Sequence, residues 1–373
     1  MFYLVTGSYS PNTAPTNRIM AYVRALSELK ISTRVIFFMP NKAHSTVKEE
    51  YPFIEFEYLW QKNYINIPRV NRLSLIFYRR QFIKQLKQDD IVYVYGFQDL
   101  VVDLSKVAGI KVYAERTEHD AVSFVYHIRK ITVSDFLDAC RRISGMVVIS
   151  QPLREYYIEN GCNSDRVHVV NMITDSTRFQ GIIKENSEPY IAYCGTASNS
   201  KDGVDQLIKA FALTIKKHPE YKLCIIGSTP SKKEKFDNLD LVKELGIEHN
   251  VVFTGVVPAN EMPQMLKNAE ILALDRPDNM QAKYGFPTKL GEYLLTGNPV
   301  VLTNVGDIPL FLKDGDSALV AEPNNPNSFS EKLCWAIENK EKALEIGLNG
   351  KKVAETQFNY LTETSKIVNM ISK

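Results

Sequence analysis

Residues 190–211 read YIAYCGTASNSKDGVDQLIKAF, a pattern typical of a buried strand, a loop of small residues and a helix. Tyr190–Cys194 predicts the strand and Gly203–Lys217 the helix. Gly195 lets the loop backbone come close to a ligand, and the start of a helix favours an anion. Lys201 adds an ammonium beside that helix start. The stretch therefore fits a phosphate site, and it fits equally an ordinary turn between a strand and a helix.

The same alternation of short apolar runs and helix-length segments continues through the chain. It predicts two doubly wound parallel sheets, because strands joined by helical crossovers pair in parallel and are covered on both faces. The helices predicted between the strands include one over Phe124–Arg142. The predicted strands are Phe2–Thr6, Arg34–Met39, Ile91–Tyr95, Lys111–Glu115, Met146–Ile149, Val167–Val170, Tyr190–Cys194, Lys222–Ile226, Val251–Thr254, Glu270–Leu274 and Pro299–Thr303.

Composition excludes several classes of protein. With 373 residues, 45% hydrophobic and 24% charged, the chain is neither disordered, collagen-like nor a coiled coil, and two domains are expected. The longest apolar runs predict no membrane span, and the N-terminal MFYLVTG lacks the pattern of a signal peptide. Five cysteines without CxxC spacing argue against disulfides and zinc. We therefore expect a cytoplasmic protein.

Residues 274–301, LDRPDNMQAKYGFPTKLGEYLLTGNPVV, contain a second candidate site. Pro287 and Thr288 suit the start of a helix. Lys289 and Glu292 are three residues apart, so they project from the same side of that helix. A lysine there can meet a diphosphate, and a glutamate can accept hydrogen bonds from the vicinal hydroxyls of a ribose. An ordinary surface ion pair would give the same spacing.

Both stretches, together with YKLCIIGSTP (221–230), VVFTGVVPANEMPQMLKNAEILAL (251–274) and LTNVGDIPLFLKDGDSALVAEPNNPNSFSEKL (302–333), resemble the nucleotide-sugar domain of glycosyltransferase family 4. The resemblance implies the GT-B fold, an α/β architecture of two Rossmann-like doubly wound domains that face each other across a cleft. It implies an N-terminal acceptor domain, 1–184, and a C-terminal donor domain, 185–356. The end of the chain, 357–373, would pack back onto the first domain through a helix over Tyr360–Ile371.

The resemblance also implies roles for single residues. Lys201 would meet the donor diphosphate, Glu292 would hold the ribose, and His119 would lie near the transferred sugar. Lys201 and Lys289, with the helix starts, would stabilise the leaving diphosphate, and Arg276 is a candidate diphosphate contact. The nucleotide-sugar site as a whole would comprise Gly195, Thr196, Lys201, Gly227, Ser228, Val256, Tyr284, Gly285, Phe286, Pro287, Thr288, Lys289 and Glu292.

Two positions depart from the family's pattern. Thr196 stands where the family usually has an arginine, and Tyr284 stands where the first of its paired glutamates is expected. These departures affect the contacts to the sugar more than those to the nucleotide. Lys289 is a candidate for the missing positive charge.

The function implied is transfer of a sugar from an NDP-sugar to an acceptor hydroxyl, with retention, by a hexosyltransferase of polysaccharide or glycoconjugate biosynthesis. Neither a metal nor another cofactor is expected, since the NDP-sugar is a substrate and no carboxylates have metal-like spacing. Two alternatives stay open. One is another GT-B enzyme, such as a nucleotide-sugar epimerase or a phosphorylase, and the other is a non-catalytic module that only binds a nucleotide sugar.

The first half of the chain is basic, with 24 Lys and Arg against 18 Asp and Glu in residues 1–184, although the whole chain carries only +2. Its residues 58–88 contain no acidic residue, and aromatic and apolar residues lie among the basic ones. Such a segment is typical of peripheral contact with an anionic membrane and a lipid-linked acceptor, and it is compatible with a solvated helix face. No nucleic-acid module is present. The basic residues are Lys62, Arg69, Arg72, Arg79, Arg80, Lys84 and Lys87.

Overall fold

A computed structural model describes residues 1–11, 13–39, 46–59, 68–124, 128–185 and 188–372. The chain divides into two compact units, Met1–Asn171 with Tyr360–Lys373, and Met172–Asn359. The sequence predicts the boundary at residue 184, whereas Met172 and the residues after it belong to the second unit. There the backbone N–H of Thr174 donates to the carbonyl of Phe358 at 2.8 Å.

The first unit is built on a parallel sheet whose described strands have the order β3-β2-β1-β4-β5-β6-β7. Its strands are β1 (Phe2–Thr6), β2 (Thr33–Phe37), β3 (Ile54–Tyr58), β4 (Ile91–Tyr95), β5 (Lys111–Arg116), β6 (Gly145–Val148) and β7 (Val167–Val169). The helices between them are α1 (Ala14–Glu28), α2 (Pro68–Gln85), α3 (Gln98–Leu104), α4 (Val133–Arg142) and α5 (Gln151–Glu159).

The second unit is built on a parallel sheet whose described strands have the order β10-β9-β8-β11-β12-β13. Its strands are β8 (Tyr190–Cys194), β9 (Lys222–Ile226), β10 (Val251–Gly255), β11 (Ile271–Leu274), β12 (Val300–Thr303) and β13 (Leu319–Ala321). Its helices are α6 (Asn199–Asp202), α7 (Val204–Thr214), α8 (Lys232–Glu244), α9 (Met262–Asn268), α10 (Met280–Tyr284), α11 (Lys289–Leu295), α12 (Ile308–Phe311), α13 (Pro326–Glu338) and α14 (Lys340–Gln357).

The two parallel sheets confirm the predicted fold class. The helix predicted over Phe124–Arg142 is wrong in its first part, because the helix begins only at Val133, where Thr132 and Asp135 form a capping box that fixes its start. None of the helices in the described part of the chain combines the length and the apolar character needed to cross a bilayer.

The last helix, α15 (Tyr360–Ile371), returns to the first unit and packs against α1, as predicted. The phenol of Tyr360 donates to Glu28 at 2.7 Å, and the buried carboxylate of Glu363 accepts from the backbone N–H of Asn171 at 2.9 Å. The buried side chain of Arg18 on α1 pairs with Glu115 on β5 at 2.5 Å and donates to the carbonyl of Val170. These contacts join α1 and β5 to the two segments with which the unit ends, the residues just before Met172 and the helix α15.

The order of the strands places a topological switch in the second unit between β8 and β11, which are neighbours although β9 and β10 separate them in the chain. The loops that follow these two strands touch each other. Gly203 has a φ of +61°, and a Cβ on it would overlap the carbonyl oxygen of Asp275. Glycine is therefore required at this crossing, and it fixes the position of the loop that contains Lys201.

Asp275 is a buried acid just beyond β11, with only 1% of its surface exposed. Its Oδ2 has no hydrogen-bond partner among the described residues. Burial, reinforced by the negative charge of Asp205, raises the pKa of Asp275 from 3.8 to about 7. The folded chain therefore retains a proton between about pH 4 and pH 7 that the unfolded chain releases, so this group lowers the stability of the fold as the pH rises.

We predict that Asp275→Asn increases the free energy of unfolding more at pH 8 than at pH 5, by about 1–3 kcal/mol, because the amide does not ionise. Urea denaturation at both pH values measures the difference. The matched control is Asp278→Asn, which changes an exposed aspartate three residues further on. An equal effect of Asp275→Asn at the two pH values would show that the buried carboxyl does not ionise over this range.

Candidate functional site

The candidate site lies at the carboxyl ends of the strands in the second unit. Gly195 follows β8, Gly227 follows β9, Val256 follows β10, and Arg276 lies two residues beyond β11. In open parallel sheets, ligands bind at this edge beside the switch between strands. Val256, which belongs to the predicted nucleotide-sugar site, is 79% exposed and therefore accessible at this edge.

The loops after β8 and β9 are in backbone contact. A Cβ on Gly227 would overlap the carbonyl oxygen of Gly195, so the glycine at 227 allows a crossing that a larger residue would prevent. The N–H of Gly195 donates to the carbonyl of Ile226 at 2.8 Å, and the N–H of Ala197 donates to the carbonyl of Ser228 at 2.7 Å. Both hydroxyl residues that the sequence nominated here, Thr196 and Ser228, are exposed. These hydrogen bonds join the loops after β8 and β9 into one structure at the edge of the sheet, which we call the rim.

Lys201 lies in α6, a single turn that precedes α7, rather than at the start of the long helix. The hydroxyl of Ser198 accepts from the N–H of Lys201 at 3.3 Å and begins this turn. The Lys201 side chain is exposed. Below it, the buried Arg276 donates to the Lys201 carbonyl at 3.4 Å and lies 3.8 Å from Asp202. Arg276, which was predicted as a diphosphate contact, therefore stabilises the backbone of the loop that contains Lys201.

Asp202 is the centre of a buried charge cluster. Its Oδ2 accepts from the ammonium of Lys289 at 2.5 Å and from the phenol of Tyr193 at 2.7 Å. Burial alone would raise the pKa of this carboxyl, but Lys289 and Arg276 outweigh burial and hold the pKa below its ordinary value. The carboxylate is therefore ionised at neutral pH. It joins the loop after β8 to the first residue of α11.

The ammonium of Lys289 lies directly against the backbone of Gly195. A Cβ on Gly195 would be only 2.5 Å from the Nζ atom, so a larger residue would displace the lysine. An ammonium has three donors, and Lys289 gives one to Asp202 and one to Tyr193. The third donor has no hydrogen-bond partner among the described residues, and Lys289 lies beside the loop that contains Thr196.

The loop between α10 and α11 contains the remaining nominated residues. Tyr284 ends α10 and is half-buried, while Gly285 and Pro287 are buried and Thr288 is exposed. The ring of Phe286 packs edge-on against Phe311 and also contacts Phe358, with centroids 5.6 Å away in each case. Phe286 is therefore a core residue, and only its backbone could face a ligand.

Glu292 forms an ion pair with Arg178, which lies in a 3-10 turn over Ser176–Phe179. The two side chains are partly exposed, 24% for Glu292 and 31% for Arg178. Burial raises the pKa of Glu292, and Arg178 opposes that rise. The neighbouring Tyr293 accepts from the backbone N–H of Cys194 at 2.6 Å, which fixes α11 against the end of β8.

His119 belongs to the first unit. Its ring lies 4.1 Å from the ring of Tyr156, and its Nδ1 accepts from the N–H of Ala121 at 3.1 Å. Partial burial lowers its pKa below 6.5; Asp120 opposes this and Arg116 adds to it. The imidazole is therefore neutral at pH 7, with its proton on Nε2, so it can donate a hydrogen bond.

The structure brings Lys201, Lys289 and the glycine loops to one edge, and Glu292 lies on the helix that Lys289 begins. Sequence reasoning missed Asp202, Tyr193 and Arg178. Asp202 directly follows Lys201 in the chain, but its partner is 87 residues away. Arg178 falls within the predicted first domain, 1–184, and no motif in the sequence connects it with Glu292.

Comparison with known proteins is consistent with this site. Residues 175–353, slightly less than half of the chain, match the family model for glycosyl transferases group 1. A D-inositol 3-phosphate glycosyltransferase of Corynebacterium kroppenstedtii is 25% identical over 43% of the chain and 35% of its own length. An uncharacterized glycosyltransferase of Methanocaldococcus jannaschii is 27% identical over 41% of the chain and 36% of its own length. The chain thus matches little more than a third of these relatives.

Solved structures match over the whole chain. Anabaena HepE, solved in complex with UDP, superposes with a TM-score of 0.76 at 17% identity and covers 100% of this chain and 99% of its own. Sucrose-phosphate synthase from Thermosynechococcus elongatus gives 0.76 at 14% identity, with 99% and 97% covered. The chain therefore has the GT-B fold, and its second unit contains the segment that is similar to the group 1 glycosyl transferases.

Proposed function

We propose that the chain is a glycosyltransferase that moves a sugar from an NDP-sugar to an acceptor hydroxyl. The observation that carries the proposal is the pair of cations, Lys201 and Lys289, at the rim formed by the loops after β8 and β9. This rim lies within the segment that matches the glycosyl transferase family. The names of the relatives support the same class of reaction, and the UDP complex of a protein with the same fold supports a nucleotide donor.

In the proposed reaction, the bond between the anomeric carbon and the diphosphate oxygen breaks, and the acceptor oxygen forms a new bond to that carbon. The acceptor proton passes to the departing diphosphate, and the configuration is retained. Negative charge grows on the diphosphate as it leaves, so fixed positive charge lowers the barrier. Lys201 and the third donor of Lys289 supply that charge, and no metal ion or other cofactor takes part. The neutral His119 would donate a hydrogen bond from its Nε2–H to a sugar hydroxyl.

The acceptor would bind to the first unit at a membrane surface. Leu73 and Phe77 on α2 are 67% and 57% exposed. The exposed Arg80 and Lys84 follow at helical spacing on the same side of α2. Exposed apolar residues beside cations are typical of helices that lie on an anionic membrane, so we propose a lipid-linked acceptor and peripheral attachment.

Two residues of the basic segment do not contribute as predicted. Arg79 is buried and pairs with Asp99 at 2.8 Å and Asp103 at 2.9 Å, so it faces the protein. Lys87 lies beyond the end of α2 and not on its face. Lys62 and the side chains of Arg69 and Arg72 lie outside the described part of the chain.

The first prediction concerns turnover. With UDP-, GDP- and ADP-sugars as donors, Lys201→Met and Lys289→Met should each lower kcat/KM for NDP release by at least about tenfold, since one charge contact to the leaving group is lost. Lys332→Met, which removes a lysine paired with Asp314, is the control and should turn over normally.

Lys289→Met also leaves Asp202 without its closest cation, which would destabilise the fold. Thermal unfolding should therefore be measured beside activity. The double variant Asp202→Asn with Lys289→Met removes both charges together, so it does not leave a buried carboxylate without its cation. Binding of an NDP-sugar by the native chain without any release of NDP would indicate a binding module. Full activity in both lysine variants would place the required charge elsewhere.

The second prediction concerns the membrane. The native chain should float with anionic vesicles at low salt and not with neutral ones, and Arg80→Glu with Lys84→Glu should weaken this binding by about tenfold or more. High salt should abolish it, because the Debye length shrinks to about 3 Å at 1 M. Lys106→Glu with Lys130→Glu, an equal reversal of exposed charge in the same unit, is the control. If the native chain does not bind anionic vesicles, the membrane proposal is contradicted and a soluble acceptor is favoured.

A further inference from the structure

We propose that Arg178 is a positioning residue for Glu292: its guanidinium holds one carboxylate oxygen so that the other faces the vicinal ribose hydroxyls of a nucleoside diphosphate. This inference rests on the proposed function, and it adds a residue from outside both sequence motifs. Arg178 donates from Nη1 to Oε1 of Glu292. In the described part of the chain, no donor is bonded to Oε2.

The path of the chain explains how Arg178 reaches Glu292. Gly291, the residue before Glu292, has no side chain, and a Cβ there would overlap the methyl group of Thr174. Met172 also contacts this position, since the N–H of Gly291 points to its sulfur at 3.3 Å. The segment that begins the second unit therefore lies directly on α11, four residues before Arg178.

The turn that presents Arg178 is itself fixed. The carboxylate of Asp175 accepts from the N–H of Thr177 at 3.0 Å and from its hydroxyl at 2.6 Å, which caps the 3-10 turn. The hydroxyl of Thr174 donates to the carbonyl of Phe358 at 3.1 Å. The backbone just before Arg178 is therefore fixed by hydrogen bonds. Only the side chain of Arg178 loses conformational freedom when it pairs with Glu292.

Charge explains why Glu292 needs such a partner. Burial raises the pKa of its carboxyl, which favours the neutral form, whereas two ribose hydroxyls are best bound by an ionised carboxylate. Arg178 favours the ionised form and leaves Oε2 for the ligand. An arginine that merely occupied the ribose position would have the opposite effect, because the nucleotide would have to displace it. The two roles predict changes of opposite sign when Arg178 is removed.

The test is calorimetric titration with UDP, GDP and ADP, and with the 2′,3′-dideoxy form of whichever diphosphate binds. Arg178→Met should weaken binding of the ribose form about fivefold to tenfold, the loss expected for one ordinary hydrogen bond. It should leave binding of the dideoxy form unchanged, because that form has no vicinal hydroxyls. Arg178→Lys should recover part of the loss. Lys184→Met, which removes a partly exposed lysine paired with Glu270 at 3.1 Å, is the matched control.

Arg178→Met should also have no added effect in a Glu292→Gln background, since Arg178 acts through that carboxylate. Unchanged or tighter binding of the ribose form by Arg178→Met would overturn the inference, and so would an equal loss for the ribose and dideoxy forms. If Arg178→Met behaves as native while Glu292→Gln loses affinity, the proposed function stands without this inference. A native chain that binds none of the three diphosphates would overturn both.

Discussion

The buried carboxylate of Asp202 is the interaction on which the site depends. It accepts from Lys289 and Tyr193 and lies near Arg276, so it joins the loop after β8, the loop after β11 and the start of α11. Removing a charge from water costs several kcal/mol, and here two hydrogen-bond donors and the nearby guanidinium of Arg276 offset that cost. The cluster fixes the position of the Lys289 ammonium against Gly195, and one donor of this ammonium is left for a ligand.

Small residues and charges act together at this edge of the sheet. Gly227 allows its loop to touch the backbone of Gly195, and Gly203 allows a second contact, with Asp275. The ammonium of Lys289 lies against the backbone of the loop after β8, and Lys201 lies in the helical turn that follows this loop. Preorganised charge of this kind is the main means by which a protein stabilises a departing diphosphate.

The sequence predicted the fold well where burial dictates the pattern. β1, β4, β8 and β9 are covered on both faces and appear as continuous apolar runs, so their limits match the structure. β3 was missed because its residues, Ile54–Tyr58, alternate with glutamates and are only partly buried. α4 was predicted too long because a capping box, rather than a change in hydrophobicity, sets its start.

The site was predictable only in part, and for a physical reason. Lys201, Lys289 and Glu292 stand at spacings that a linear motif reveals, so the sequence could nominate them. Their partners could not be found in this way, since Asp202 meets Lys289 across 87 residues and Arg178 meets Glu292 across 114. Only the folded sheet brings such pairs together.

The measurement that tests the account most directly is the affinity of the native chain for UDP, GDP and ADP, compared with its affinity for their monophosphates. We predict that one diphosphate binds at least about tenfold more tightly than its monophosphate, because its second phosphate reaches the two lysines. Equal affinity for the two forms, or no binding of any diphosphate, would contradict the account.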